Sequence, residues 1–94
     1  MNLVVVYDIS DNETRERIAN LLKYHGLIRV QRSVFVGEGG KGKAYDIVRL
    51  TRRLIDPETD SLIVFVVPKT SIKEALIVGT PLNEVRPRVT IKII

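Results

Sequence analysis

The 94-residue chain has no cysteine and no tryptophan, one histidine and one methionine. Without cysteine there are no disulfides and no thiolate metal centres, although the compartment stays open on that ground. His25 has no second histidine to share a metal with, and it falls at the end of a helical pattern. Aromatic residues make up 5% of the chain, so any core must be built mainly from Val, Ile and Leu. Long apolar runs are missing too. The longest, Leu62 to Val67, has six residues, against the roughly 20 needed to span a bilayer as a helix. A strand-like segment begins at once, with no basic-then-apolar leader pattern before it. The expectation is a cytoplasmic protein with no membrane partner.

Hydrophobic residues reach 45%, enough for a globular chain, and the length suits a single domain. Lys and Arg exceed Asp and Glu by 15 to 11, a net charge of +4. Such a balance fits a polyanion-binding protein, nucleic acid being the commonest case, and equally fits a small domain kept soluble. The positions of the charges matter more than their sum.

Asn2 to Tyr7 is a β-branched apolar run, the mark of a central strand. Ser10-x-x-Glu13 matches a capping box, and Ile18, Leu21 and Leu22 follow at helical spacing up to a stop at Gly26. Ile28 to Val36 alternates, with Ile28, Val30, Val34 and Val36 on one side and Arg29, Gln31, Ser33 and Phe35 on the other. Arg32 interrupts the apolar set, which predicts a wet or subunit-contacting surface or a bend at Arg32-Ser33. A second helix is predicted over Ala44 to Ile55, with Ala44, Ile47, Val48, Leu54 and Ile55 inward and Asp56-Pro57 as its stop. Ser61 to Val67 reads as another buried strand. A short helical turn over Thr70 to Ala75, a brief strand at Leu76 to Val78, a connector marked by Pro81 and Pro87, and a last strand over Val89 to Ile93 follow.

This order predicts an α+β sandwich with two helices on one face of a sheet. Residues 1–80 form the domain; residues 81–94 form a linker and strand that joins the same domain or docks on a partner subunit. Asn2 to Tyr7 and Leu62 to Val67 are apolar on both sides, so the face without helices also needs cover. A homodimer packed through its sheets is the simplest cover.

Three groups of residues invite a functional reading. From Gly37 the chain spells G-E-G-G-K-G-K-A, a near match to the phosphate loop of nucleotide hydrolases. Ala44 stands where that loop needs a Ser or Thr hydroxyl for Mg²⁺, which argues against nucleotide hydrolysis. What remains is a glycine-softened turn whose Lys41 and Lys43 either keep it soluble or touch a nucleic-acid backbone. Second, Asp8 ends a buried strand. Either Asp8 or Asp11 caps the next helix, or Asp8 holds a metal. One carboxylate per chain is too few for Mg²⁺, and a two-fold dimer would double it. Third, Arg15 and Arg17 lie in the first helix and Arg29 on the next strand, while Arg49, Arg52 and Arg53 stand at i, i+3, i+4 on the second helix. The last three form either a solvated face or a phosphate-contacting stripe. Tyr7, Phe35 and Phe65 are scattered, which gives no base-stacking motif.

Val5-Val6-Tyr7-Asp8-Ile9-Ser10-Asp11, then Arg15-x-Arg17, Gly26-Leu27 and Arg29-Val30-Gln31-Arg32-Ser33-Val34-Phe35-Val36-Gly37, resembles the second of the two CRISPR adaptation proteins. That family comprises small metal-dependent endoribonucleases or DNases, and the resemblance covers about residues 3–67. It implies a ferredoxin-like βαββαβ fold with an extra C-terminal strand, and a homodimer formed through the sheets. It further implies that Asp8 shares Mg²⁺ with its two-fold mate, and that Tyr7, Arg15, Arg17, Arg29 and Phe35 are linked to activity. The partners implied are the CRISPR integrase and DNA or RNA, in spacer acquisition. Arg32 and the glycine-rich Gly39 to Lys43 segment depart from the family pattern, and nothing after Gly79 aligns with a motif. The leading expectation is a Mg²⁺-dependent endonuclease acting on RNA or double-stranded DNA. Beside it stand a non-catalytic nucleic-acid-binding adaptor that bridges the integrase, and a metabolite-binding ferredoxin-like regulator.

Overall fold

The structure, a computed structural model, describes residues 1–82 and 92–94. Its elements are β1 (Asn2–Asp8), α1 (Asn12–Tyr24), β2 (Ile28–Gln31), β3 (Val34–Glu38), α2 (Lys41–Thr51), β4 (Ser61–Val67), α3 (Lys69–Lys73), β5 (Leu76–Ile77) and β6 (Lys92–Ile93). The first four strands form one antiparallel sheet in the order β2-β3-β1-β4. β1, α1 and β2 make a split βαβ unit with β3 inserted between the two strands, the ferredoxin-like arrangement the sequence led us to expect.

Alternation along β1 sorts the core. Leu3, Val5 and Tyr7 are buried toward α1 and α2, together with Phe35 of β3, Ile18, Ala19 and Leu22 of α1, and Ala44 and Ile47 of α2. In α1 the apolar residues recur at helical spacing, so one stripe meets the sheet while Arg17, Asn20 and Lys23 stay in water. The helix ends where Gly26 takes φ 83° and the amides of Gly26 and Leu27 bond back to the carbonyls of Lys23 and Leu22. A residue with a Cβ resists that left-handed backbone.

Several details differ from expectation. Helix α1 is capped by Asp11, whose Oδ2 accepts from the Thr14 amide at 2.8 Å, and Ser10 takes no part in a capping box. The strand Ile28 to Val36 breaks at Arg32-Ser33 into the β2–β3 hairpin, one of the two outcomes the pattern allowed, with a bulge between Arg29 and Gln31. Helix α2 starts three residues early, at Lys41, and ends at Thr51. Val48 is 41% exposed instead of inward, and Thr51 is buried in its place. The Thr51 hydroxyl is satisfied by the Ile47 carbonyl at 2.8 Å, which lets a polar residue occupy the core side of the last turn.

Among the described residues, the face away from α1 and α2 is only half covered. Ile72 of α3 and Ile77 of β5 pack on Val4, Val30 and Val36 at one end of it, and the Leu82 amide reaches the Val30 carbonyl. At the other end Val6 and Val34 are partly exposed, and Ile63 and Phe65 are 50% and 48% exposed. β6 pairs in parallel with β5 of the same chain; Val89, Thr90 and Ile91 of the expected last strand lie outside the described residues.

Candidate functional site

Asp8 is the last residue of β1, opposite Ser61 in the register with β4. The pleat puts it on the same face as Val6, Ile63 and Phe65, at the bare end of the sheet. Only three residues separate it from α1, and each is held. Ile9 is buried, and its carbonyl accepts from the Arg15 guanidinium at 2.9 Å. The Ser10 amide and hydroxyl both donate to Asp60 Oδ1, at 3.1 and 3.0 Å. Asp11 accepts from the amide and hydroxyl of Thr14, and these two bonds hold its carboxyl below the usual carboxylate range.

The chain has five aspartates: Asp8, Asp11, Asp46, Asp56 and Asp60. Asp46 pairs with Arg49 at 2.6 Å, Asp56 accepts from the Glu58 amide, and Asp60 accepts from Asp56, Ser10 and Thr59. Those bonds, led by the amides of Asp56 and Ser10, also lower the Asp60 carboxyl. Among the described residues Asp8 is the one aspartate whose carboxylate receives no hydrogen bond or ion pair. It caps nothing, so its place on a rigid strand end is not explained by the needs of the backbone.

The other activity-linked residues implied by resemblance do not gather around it. Tyr7 and Phe35 are buried on the helix side, their ring centroids 6.2 Å apart and nearly parallel. Arg29, opposite Phe35 in the β2–β3 register, lays its guanidinium 5.0 Å from the Phe35 ring centre. Its Nε is buried without a hydrogen-bond partner among the described residues. Tyr7, Phe35 and Arg29 therefore form a stack beneath the sheet, and Asp8 stands on the opposite face. Arg15 spends its donors on the carbonyls of Ile9 and Ser10 and on the Asn12 side chain. Arg17 is exposed on α1.

The basic residues divide as well. Arg49, Arg52 and Arg53 are exposed around the end of α2, and Arg49 is partly neutralised by Asp46. Lys41 is exposed at the first turn of that helix, whereas Lys43 turns back to donate to the Glu38 carbonyl at 3.0 Å. The near-match to a phosphate loop is thus a strand-to-helix turn closed by its own lysine. Lys43, Lys69, Lys73 and Glu38 line a cleft of about 410 Å³ at the far end of the sheet from Asp8, where Lys69 pairs with Glu38. Sequence reading missed Asp60 and Ser10 as a pair because fifty residues separate them and the local pattern assigns Ser10 to a capping box instead.

A metal at Asp8 would need more than one chain supplies. Among the described residues no group of three His, Cys, Asp or Glu side chains comes together. An unengaged carboxylate is the oxygen donor that a hard cation such as Mg²⁺ takes, and further oxygen donors would have to complete such a site. No helix among the described residues is long and apolar enough to cross a membrane.

Residues 1–75 match the family model described as CRISPR associated protein Cas2. The chain is 37% identical over 81 residues to the CRISPR-associated endoribonuclease Cas2 2 of Pyrobaculum aerophilum, covering 86% of this chain and 89% of that protein. It is 32% identical over 76 residues to a CRISPR-associated endonuclease Cas1/endonuclease Cas2 fusion of Thermoproteus tenax, covering 81% of this chain and 29% of the fusion. The crystal structure of a hypothetical protein, TT1823, from Thermus thermophilus superposes with a TM-score of 0.72 at 32% identity, covering 86% of this chain and 93% of that one.

Proposed function

This chain belongs to the Cas2 family of CRISPR-associated proteins, and on that premise we propose that it is an endonuclease centred on Asp8 in a two-fold dimer. One observation carries the reading: Asp8 is the single unengaged aspartate among the described residues, presented from a strand end on the part of the sheet face that the described residues leave uncovered. Two copies packed through that face would bring two Asp8 side chains to one axis. The naming of the Pyrobaculum aerophilum relative as an endoribonuclease supports RNA as a substrate, and double-stranded DNA is the second substrate to test.

In the proposed dimer the paired Asp8 carboxylates would hold Mg²⁺. When bound, the ion supplies an activated water and offsets the charge that builds on the phosphate. The chain's own residues do the rest. Arg15 and Asp11 fix the connection after Asp8, and Arg17 offers an exposed cation on the same helix. Lys41, Arg49, Arg52 and Arg53 give a surface on which a phosphate backbone is held by charge and not by sequence. Tyr7, Phe35 and Arg29 contribute by keeping β1 and β3 packed on the helices.

The test compares wild type with Asp8→Asn on RNA and on duplex DNA, each with Mg²⁺ and with chelator. Cleavage should need Mg²⁺ and disappear in the variant, with far-UV circular dichroism unchanged. Equal cleavage by the two proteins sinks the Asp8 mechanism.

A second reading is supported by the Thermoproteus tenax protein, in which Cas1 and Cas2 form one chain. In that reading the present chain bridges a Cas1-type integrase and binds nucleic acid without turnover. Absence of cleavage together with salt-sensitive DNA binding selects it.

A further inference from the structure

We propose that Asp60 is a positioning residue for Asp8, acting through a clamp onto Ser10 across the ends of β1 and β4. The inference deepens the reading of Asp8 as the reactive carboxylate and rests on it. Asp8 and Ser61 are the last paired residues of the two strands, and beyond a last pair strands normally splay. Here the next residue on one side, Asp60, receives the amide and the hydroxyl of Ser10, two residues past Asp8. Its second oxygen receives the Asp56 amide at 3.0 Å, and Thr59 donates to the first. One carboxylate therefore ties together the β1–α1 connection, the turn before β4 and the strand ends. Bonds from two sides, with Asp60 on Ser10 and Arg15 on the carbonyl of Ile9, restrain the chain that follows Asp8. Groups outside the ligand set that fix ligand orientation matter to a metal site, and losing one typically costs about 10–100-fold in affinity or activity.

The clamp is not an ordinary helix cap, since Asp11 already fills that role for α1. It is also not part of the core, because Ser10 is exposed and Asp60 only half-buried. Its removal should therefore loosen the site without unfolding the domain.

The test uses Asp60→Ala, Ser10→Ala and Ser10→Thr beside wild type and Asp8→Asn. The first readout is amide hydrogen exchange, which needs no activity. Exchange at the Ser10 amide should rise about tenfold or more in Asp60→Ala, as expected for losing a bond to a charged acceptor, with the amides of Ile18, Leu22 and Ile47 unchanged. The second readout is the Mg²⁺ dependence of RNA cleavage. Half-saturation by Mg²⁺ should rise about tenfold in Asp60→Ala and Ser10→Ala, with KM for RNA within about twofold. Ser10→Thr keeps the hydroxyl and should restore the wild-type value. Unchanged Ser10 exchange, or unchanged Mg²⁺ dependence in a wild type that Asp8→Asn inactivates, overturns the positioning role. Cleavage that survives Asp8→Asn overturns the Asp8 reading itself, and with it any catalytic purpose for the clamp, while the exchange result still reports whether the clamp exists.

Discussion

Truncating Phe65 tests the proposed dimer, on which a shared Asp8 site would depend. Phe65 lies on β4 beside Ile63, on the bare half of the sheet, and is 48% exposed in the single chain. A phenylalanine presents about 200 Å² to solvent when fully exposed, so covering its open half removes about 100 Å², worth about 2.5 kcal/mol. A two-fold interface uses the residue twice, which makes about 5 kcal/mol for Phe65→Ala and raises the dimer Kd by about three to four powers of ten. The half that is already buried contributes to the fold of the monomer, so the variant will also melt somewhat lower. Ile63→Lys separates the two effects, because its side chain is half in water and a lysine there can extend into solvent while opposing its own mate across the axis. Sedimentation equilibrium over a dilution series, with circular dichroism on the same samples, gives the association constants. Two folded variants that dimerise within a factor of ten of wild type would refute the argument from the bare face. So would a wild-type protein that stays monomeric at every concentration.

Phe35→Ala should cost about 3–5 kcal/mol by leaving a cavity beneath β1 and β3, and Phe35→Leu much less. If nuclease activity follows thermal stability across that pair, Phe35 acts through packing; activity lost in a stable Phe35→Leu protein contradicts this. Gly37→Ala would place a Cβ 3.1 Å from Leu27 Cα, a backbone atom that cannot swing away, while Gly42 of α2 has open space around it. Chemical denaturation should show Gly37→Ala less stable by about 1–3 kcal/mol and Gly42→Ala unchanged or more stable by about 0.5 kcal/mol. The carboxyls of Asp11 and Asp60 both lie below their ordinary value of 3.8 in the folded chain. Their contribution is therefore complete above that pH and is lost as the pH falls through the lowered values. The acid limb of a stability curve should flatten in a variant carrying both Asp11→Asn and Asp60→Asn. Replacing Arg49, Arg52 and Arg53 by alanine should weaken RNA and DNA binding alike and reduce the slope of log K against log salt. An unchanged slope places the phosphate contacts elsewhere.

Local pattern was enough for much of this protein. The β-branched run ending at Asp8, the helical spacing of Ile18 and Leu22, the stop at Gly26 and the break at Arg32-Ser33 are properties of short segments, where side-chain period and backbone sterics act within a few residues. From these come the element order, the two-layer sandwich and the position of Asp8 at a strand end. Sequence alone also showed that Ala44 spoils the phosphate loop.

Other features exist only once distant segments meet. That Phe35, Tyr7 and Arg29 stack on the helix side, opposite Asp8, follows from the register of β1 against β3 and of β2 against β3; a slip of one residue would have exchanged the faces. Lys43 turns inward because Glu38, five residues back at the end of β3, has a carbonyl to offer across the strand-to-helix turn. The partial cover over the second face comes from Ile72 and Ile77 folding back across Val30 and Val36. Asp11 rather than Ser10 caps α1 because Asp60, fifty residues on, claims the serine. Periodicity carries no information about such pairings. They are settled when the sheet closes, and the closed sheet leaves Asp8 as the one aspartate among the described residues with its carboxylate unengaged.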